Sequence, residues 1–571
     1  MSEKLIPFFL TFPLFFAVLF LPALHPWSEA FQLVFLTLGL FLFLYDGINK
    51  GELETKRGAL PFPLALFLVL AVLYTWRSAD YTLSRDFLFI LYSYLAIYLL
   101  VAHLQEGGRR YVLALLVVLG TFCALHGIYQ FFFGFESLLQ KIRAPNFRPP
   151  PGMAPFMAEV ASRIEQKRVF STFLLPSHFA AFLGMTIPLT TGAFFTVRRI
   201  TLVFLLLIAA SLQILALFLT RSFSGWLSFL LAGTFVFSIC MVIRERVSVR
   251  RLAGIWVMAL TAIGLIFFLL TLLRPDNPFS AKNNPLLLRL LNWKVALRMI
   301  WESPFWGRGL ATFGLFYPQY QEAGENVVHH AHNSYLQLGT EMGVLGAGAF
   351  IWFALWWTRG MVQALRRDGG QNVPLIMAVL VAGVAFFIHT ALDFAFYEPG
   401  CGLVAFAILG LGVPYMRRGE RLLRVKEGWR SPLALGGLAV SLALCIIFIL
   451  PFYGRLYYQR AELKLQGRVT IPASGVSDLY RAIRFDPRSS EYHHALGVAL
   501  FRHLGRKEEG IAEVKKAISL SPLHHHYHFD LGMMYLIMGE REKGEGAIRR
   551  AQKLCPFCED YRKVLQRLRR R

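Results

Sequence analysis

The chain has 571 residues, of which 56% are hydrophobic and only 16% are charged. Soluble enzymes carry about a quarter charged residues, so this composition excludes an ordinary soluble enzyme and indicates a membrane protein. The formal net charge of +24 reflects either basic cytoplasmic loops or attraction to a polyanion such as nucleic acid or anionic glycolipid. We favour the first explanation and predict no nucleic-acid partner.

Apolar runs recur along the chain, and each predicts a transmembrane helix. About 20 apolar residues at 1.5 Å each cross the hydrocarbon core, and a helix satisfies its own backbone there. The first run has no convincing cleavage site and is interpreted as an uncleaved span. The predicted fold class is all-α, a polytopic helical bundle of about 13 spans in the lipid bilayer. These spans lie near residues 5–24, 29–47, 60–76, 86–104, 111–133, 171–196, 200–219, 223–243, 252–273, 335–358, 373–393, 401–415 and 432–452.

The short loops between these spans differ strongly in charge. One set carries about twenty Lys and Arg residues and the other about three, which makes the first set cytoplasmic. The amino terminus is then inside. Two long loops, at about 134–170 and 274–334, and the tail after the last span are expected outside.

The tail is polar, has helical periodicity and repeats itself. Asp486-Pro487, Ser521-Pro522 and Cys555-Pro556 are 35 and 34 residues apart, and Leu496-Gly497 recurs as Leu531-Gly532. A 34-residue unit of this kind resembles the tetratricopeptide repeat (TPR), whose units stack because each helix pair buries its apolar face against the next. We predict two domains, 1–452 in the membrane and 453–571 as an α-helical, TPR-like repeat domain of two to three units. The repeats either dock a peptide or protein partner, which we favour slightly, or form a passive cap.

Cysteine and histidine in the tail raise the question of a metal site. Cys555 and Cys558 lack two further zinc ligands, and a local disulfide is the first choice if the tail lies outside the cytoplasm. Adjacent histidines such as His493-His494 point in different directions on a helix. We predict neither a metal nor a cofactor.

The strongest local signal is the run His329-His330-Ala331-His332-Asn333, where the second outer loop re-enters the membrane. A histidine at this interface can take a proton near neutral pH. Taken alone, the run is equally compatible with a metal cluster or a polar helix cap. Gly343 and Gly346, a few residues later, permit a close helix approach.

Two arginines stand out in the same part of the chain. Arg221 lies between two spans with almost no loop, where a cation costs about 2.5–3.5 kcal/mol unless it finds an anion or snorkels to the headgroups. Residues 285–301 predict an interfacial helix. On its wheel Arg289 faces the protein, while Lys294 and Arg298 face the headgroups. Arginine matches phosphate well, so an anionic ligand is the favoured partner of Arg221 and Arg289.

Together these pieces resemble the superfamily of O-antigen ligases and O-antigen polymerases. The resemblance covers roughly residues 1–415, so that about 12 spans are family-like, and the span near 432–452 and the tail go beyond it. It is carried by His332-Asn333 with Gly343-x-x-Gly346, the Arg-Ser-x-Ser-Gly turn at Arg221, Asn292-Trp293 through Pro304-Phe305-Trp306-Gly307-x-Gly309, and Arg168-Val-Phe-Ser-Thr-Phe173 with Pro176.

The resemblance implies a glycosyltransferase at the outer face of the bacterial inner membrane, without a metal or a nucleotide sugar. The donor would be a glycan on undecaprenyl diphosphate. The acceptor would be lipid A-core in a ligase, which we favour, a second lipid-linked glycan in a polymerase, or a protein hydroxyl in an oligosaccharyltransferase. His332 would be the general base of an inverting displacement, and Arg221 and Arg289 would bind the diphosphate.

Five further residues are weaker candidates for the site, and two other functions compete with the transferase. Arg168 is either a third phosphate contact or an interfacial anchor. His330 either supports His332 or is solvated, which we favour, and Asn333 is a further supporting candidate beside His332. His389 and Asp393 share a helix face and either serve function or form a structural hydrogen-bonded pair, which we favour. The rivals are a membrane transporter and a non-catalytic envelope scaffold.

Overall fold

A computed structural model describes the chain except residues 1, 21–25, 57, 145–146, 148–153, 246, 273–284, 322–327, 371, 417–419, 467–471 and 571. Parts of both predicted outer loops, 134–170 and 274–334, therefore lie outside the described residues. Within the described part the chain is almost entirely helical, with one two-stranded ribbon.

The membrane part consists of apolar helices that follow the predicted spans. Ten described helices are long and apolar enough to cross a membrane, and two shorter apolar helices, Leu5–Leu19 and Phe62–Trp76, accompany them. The predicted polytopic helical bundle is confirmed. Its helices are α1 (Ser2–Leu19), α2 (Pro26–Lys50), α3 (Phe62–Trp76), α4 (Tyr81–Ala102), α5 (Glu106–Tyr129), α6 (Phe135–Arg143), α7 (Ala154–Glu165), α8 (Pro176–Phe194), α9 (Ile200–Leu219), α10 (Phe223–Glu245), α11 (Val249–Leu272), α12 (Pro285–Glu302), α13 (Phe313–Phe316), α14 (Ser334–Arg367), α15 (Val373–Leu392), α16 (Pro399–Met416) and α17 (Glu427–Gln466).

The centre of the bundle is formed by α8, α15 and α16. Most of their residues are buried, including most of α8, 83% of the apolar window of α16 and 67% of that of α15. The lipid-facing helix α11 has none of its window buried. α8 begins at Pro176 rather than near residue 171, because proline suits the first turn of a helix and the preceding residues form turns.

Gly343 interrupts the long helix α14 with a backbone that only glycine adopts easily (φ 65°, ψ −176°). A Cβ there would lie 2.6 Å from the carbonyl oxygen of Pro304. The predicted close approach therefore exists at this glycine, but the neighbour is the backbone of the segment after α12 rather than another spanning helix. The contact fixes that segment against α14.

A short antiparallel ribbon, which the sequence did not suggest, joins two loops of the predicted cytoplasmic face. Strand β1 (Glu52–Lys56) pairs with β2 (Glu420–Arg424), with Glu52 opposite Arg424 and Lys56 opposite Glu420. The opposite charges of Glu52 and Arg424 favour this register.

The tail is a stack of helix pairs. The end of α17 packs on α18 (Pro472–Phe485), α19 (Ser490–His503) on α20 (Lys507–Leu520), and α21 (His525–Ile537) on α22 (Arg541–Leu554), with α23 (Glu559–Arg570) at the end. The recurring Leu-Gly pairs have a steric reason: a Cβ on Gly497 or Gly532 would meet a backbone oxygen of the paired helix at 2.6 or 2.9 Å. The helical character of the tail is confirmed, and its assignment to the TPR family stays a prediction.

The Cys-Pro-Phe-Cys turn between α22 and α23 closes on itself. Cys555 and Cys558 form a disulfide, as expected for a tail outside the cytoplasm. With His525 they make a group of potential metal ligands among the described residues, but sulfur atoms held in a disulfide are not thiolate ligands.

Candidate active site

The predicted base, His332, lies in the last turn before α14. Its backbone is held in the left-handed region (φ 52°), which is uncommon for a residue other than glycine. Asn333 is the N-cap of α14, and its side chain accepts a hydrogen bond of 3.0 Å from the amide of Leu336. The structure therefore gives Asn333 a capping contact that fixes the start of the helix.

The side chain of His332 is paired with a buried carboxylate. Nδ1 of His332 lies 3.1 Å from Oδ1 of Asp393, whose side chain is only 1% exposed, while 31% of the His332 side chain is accessible. Asp393 is the C-cap of α15, and its Oδ1 also accepts from the amide of Phe394 at 2.9 Å. A fixed carboxylate on one ring nitrogen sets the tautomer of a histidine and leaves the other nitrogen available to accept a proton.

Arg289 completes a three-residue arrangement. It donates to Oδ2 of Asp393 at 3.3 Å and keeps 23% of its side chain exposed. As predicted, Arg289 faces the protein and Arg298 faces outward, since 69% of the Arg298 side chain is exposed. Base, carboxylate and guanidinium thus come from three separate segments: the turn before α14, the end of α15, and α12.

The favoured structural pairing of His389 with Asp393 is wrong for their side chains. His389 instead lies 3.2 Å from the hydroxyl of Ser228 on α10, and its backbone carbonyl accepts from the amide of Asp393 at 2.9 Å. The two residues are four apart in sequence, but Asp393 is the C-cap of α15, and its side chain points toward His332. Nothing in the sequence indicated this partner, because 61 residues separate the two.

Arg221 and Arg168 meet at a second point of the same face. Arg221 has a left-handed backbone (φ 50°) and donates to the carbonyl of Gln166 at 2.8 Å, while Arg168 donates to the carbonyl of Thr220 at 3.4 Å. The two segments therefore hold each other. Burial lowers the pKa of Arg221, although the group stays charged.

The contact between α10 and α15 places this arginine pair at the same end of the bundle as the base. Arg221 directly precedes α10, and Ser228 of α10 bonds to His389, four residues before Asp393 at the end of α15. The start of α10 and the end of α15 therefore lie on one side of the bundle. All four predicted site residues, His332, Arg221, Arg289 and Arg168, belong to that side.

His330 is packed against protein, so the expectation that it is solvated is wrong. Its ring stacks on the ring of Phe394 with 4.1 Å between the centroids, and its Nδ1 lies 3.2 Å from the side-chain nitrogen Nε2 of Gln337. Burial and then the neighbouring imidazoles lower the pKa of His330. The residue is therefore neutral near pH 7 and shapes the turn that carries His332.

The sequence interpretation missed a buried polar chain behind this turn. Gln337 donates to Glu341 at 3.0 Å, and the hydroxyl of Tyr397 donates to the same carboxylate at 2.8 Å. Glu341 is fully buried, and such a group is stable only when bonded. Its place in the run Thr-Glu-Met-Gly343, an acid inside an apolar span, was the available signal.

Phe394 is the centre of an imidazole cluster that reaches deeper into the bundle. His178 packs edge-on against its ring at 4.6 Å, and His332 at 5.0 Å. Nδ1 of His178 lies 3.7 Å from Oε2 of Glu398. Burial raises the pKa of Glu398 to about 7, so this carboxyl is largely protonated at mildly acidic pH.

Comparison with known families places the arrangement in context. Residues 204–351 match the family described as O-antigen ligase (Wzy_C). The matched segment contains Arg221, Arg289, His332 and Asn333, whereas Arg168, Asp393 and the tail lie outside it. No curated protein matches the chain.

The apolar helices and this match together indicate the class of protein. The chain is a multi-pass membrane protein, and residues 204–351 are similar to the O-antigen ligase family. The match supports the O-antigen ligase superfamily and a ligase activity of the glycosyltransferase type.

Proposed function

We propose that the protein moves a glycan from undecaprenyl diphosphate to an acceptor hydroxyl at the outer face of the bacterial inner membrane. Residues 1–452 would form the transferase domain and residues 453–571 an extracytoplasmic repeat domain. The observation that carries the proposal is the pairing of His332 with buried Asp393, which also holds Arg289. That the O-antigen ligase match spans His332 and Arg289 supports the same reaction class.

His332 is the general base in this proposal. A proton on Nδ1 is shared with Asp393, so Nε2 carries the free lone pair. As the acceptor oxygen attacks the anomeric carbon, its proton moves to Nε2, and the carboxylate of Asp393 stabilises the resulting imidazolium. A positioned base contributes about 10²–10⁴-fold in rate. Because His332 is partly exposed, it can return the proton to solvent after each transfer.

The leaving group is a lipid diphosphate, and arginines neutralise its growing charge. The bond between the anomeric carbon and the phosphate oxygen breaks as the new bond to the acceptor oxygen forms, and the electron pair stays on the diphosphate. Arg289 donates to Asp393 through Nη2 and keeps 23% of its side chain exposed. Arg221 and Arg168 would supply further contacts. Fixed cations at the site of developing charge lower the barrier, and a single displacement gives an inverted anomeric centre.

Lipid A-core is our favoured acceptor, and the alternatives are a second lipid-linked glycan or a protein hydroxyl. A scaffold would not need a histidine oriented by a buried carboxylate beside an arginine. Transporters often repeat their span pattern, and this sequence shows no such repeat. The repeat domain distinguishes this chain from a minimal ligase and would suit a protein partner or acceptor.

The test is glycan transfer by purified protein in nanodiscs with a lipid-diphosphate glycan donor. We expect transfer by the wild type in the presence of a chelator, and a loss of about 10²-fold or more for His332→Ala. Transfer by His332→Ala at the wild-type rate contradicts the enzymatic role of this residue. Surface glycolipids of a deletion strain then identify the branch: lost long chains with intact lipid-linked precursor indicate a ligase, and single-unit chains indicate a polymerase.

A further inference from the structure

The repeat domain is a rigid continuation of the last span. Helix α17 runs for 40 residues from Glu427 to Gln466, so it crosses the expected domain boundary at 452 without a break. Its outer end belongs to the first repeat, because Ala461 packs with Val476, Leu479 and Leu496 in one apolar cluster. The repeats therefore cannot swing on a loose linker.

The first inter-repeat turn, between α18 and α19, is clamped to the start of α4. Nη1 and Nη2 of Arg85 donate to Asp486 at 2.8 Å, while Nε also donates to Asp86 at 3.0 Å, and the Asp486 side chain is 5% exposed. Beside this pair, the hydroxyl of Thr82 donates to the carbonyl of Arg488 at 3.0 Å. The Arg488 guanidinium lies over the ring of Tyr81 at 4.9 Å. A buried two-point ion pair is specific in geometry, and the loss of either partner is costly.

The second inter-repeat turn, between α20 and α21, rests on the same helix start. Asp80 is the N-cap of α4, and its Oδ2 lies 3.4 Å from the hydroxyl of Ser490 and 3.7 Å from Nε2 of His524. Burial alone would raise the pKa of Asp80, but the neighbouring His524 and the hydrogen bond from the amide of Leu83 outweigh it and lower that pKa. The cap is therefore a carboxylate shared between the bundle and the repeats.

The turn between α20 and α21 also packs on an apolar cluster next to His332. Leu523 packs against a buried cluster that contains Ala296 of α12, Tyr317 and Ala331. Ala331 directly precedes His332, and α12 carries Arg289. The repeat domain thus packs against the apolar cluster to which both segments that present the site contribute.

A second route joins the start of α4 to the buried chain behind His332. Ser84 donates to the carbonyl of Leu310 at 2.6 Å. In the same segment, the amides of Arg308 and Gly309 donate to the carbonyl of Glu341 at 3.0 and 2.9 Å. Glu341 is the residue that holds Gln337, and Gln337 holds His330. The contacts are continuous from the repeats to the turn of His332.

We propose that the membrane-facing edge of the repeat domain, defined as Asp486, Arg488, Ser490, Leu523 and His524 and called the docking edge, is a built-in positioning element of the active site. The docking edge fixes the positions of the His332 turn and of α12. It is not a mobile domain that recruits a partner. The activity part of this inference rests on the proposed glycan transfer. The docking part is measured independently of any reaction.

The test combines a charge exchange with a covalent tether in the full-length protein. Asp486→Arg should lower the turnover of glycan transfer at least tenfold while the apparent KM for the donor changes less than threefold, because the base rather than the donor site is displaced. Adding Arg85→Asp restores the pair, and the double variant should recover to within about threefold of wild type. Glu509→Gln, which breaks an exposed ion pair with Arg506 in the same domain, is the matched control and should leave transfer unchanged.

The tether joins Thr82→Cys to Arg488→Cys with a short bismaleimide. We expect nearly complete cross-linking, full turnover of the tethered protein, and rescue of Asp486→Asn by the tether. Poor cross-linking overturns the docking itself. Wild-type turnover of Asp486→Asn, failure of a complete tether to rescue it, or an equal loss in Glu509→Gln overturns the positioning role. If the wild type shows no transfer at all but the protein with Thr82→Cys and Arg488→Cys cross-links efficiently, the proposed function fails and docking stands.

Discussion

The pairing of His332 with Asp393 gives the sharpest prediction, the effect of Asp393→Asn. The carboxylate accepts from Nδ1 at 3.1 Å and is 1% exposed, so water cannot replace it. An asparagine amide can instead donate to Nδ1, which moves the ring proton to Nε2 and removes the lone pair needed to accept a proton. We expect a loss of about 10²–10⁴-fold in turnover, the range of a positioned general base, or about 3–5 kcal/mol in the barrier.

The assay is single-turnover transfer from a lipid-diphosphate glycan in nanodiscs, with folding checked by size-exclusion chromatography. Because the base and its carboxylate act as one unit, His332→Ala combined with Asp393→Asn should be no slower than His332→Ala alone. Asp368→Asn, which alters an acid at the opposite end of α14, is the matched control and should keep its activity. A folded Asp393→Asn protein with more than a tenth of wild-type turnover, or losses that multiply in the double variant, refutes the reasoning.

Three further predictions concern the diphosphate site, the packing of α14 and a buried acid. Arg289→Ala should lower transfer about 10²-fold, whereas Arg298→Ala on the outer side of the same helix should stay within about threefold; equal losses in the two variants contradict the assignment. Gly343→Ala should lower the free energy of unfolding by at least about 2 kcal/mol and should lower the melting temperature in detergent. Gly348→Ala is the control: its Cβ would meet open space among the described residues, so it should raise the melting temperature slightly. The folded pKa of Glu398 is raised to about 7 above its ordinary value near 4.3. The stability that comes from the protonated carboxyl is therefore complete below about pH 4 and is lost as the pH rises from about 4 to 7. The melting temperature should fall over that range, and Glu398→Gln should remove most of that fall.

Features set by local composition were predictable from the sequence. The apolar runs gave the spans because the hydrocarbon core demands about 20 apolar residues. The helical wheel placed Arg289 inward and Arg298 outward, since side-chain direction on a helix follows from position alone. The 34-residue recurrence predicted the stacked helices of the tail, and its Leu-Gly pairs mark the close crossings at Gly497 and Gly532.

Features set by contacts between distant segments were not predictable. The partner of His332 is Asp393, 61 residues away, and its side chain turns from its own helix because it follows the last residue of α15. The pattern instead suggested His389, the local neighbour. The same limit applies to the docking edge, where Arg85 and Asp486 are separated by 401 residues, and to the ribbon formed by β1 and β2.

The continuity of α17 was hidden for a different reason. The change from apolar to polar residues near 452 marks where the helix leaves the membrane, but it does not mark an end of the helix. Pro451 lies inside the helix and does not end it. Composition shows where the chain passes from lipid to water. That the helix continues beyond this point is visible only from its packing against the first repeat.

The most direct test of the central claim is a cryo-electron microscopy structure of the protein in nanodiscs with bound undecaprenyl diphosphate. We predict that the diphosphate lies at the outer face with its oxygens within hydrogen-bond distance of both Arg289 and Arg221, and that Nε2 of His332 faces the position of the anomeric carbon. A diphosphate held elsewhere, with the two guanidinium groups turned away from it or separated from His332 by the bundle, contradicts the account.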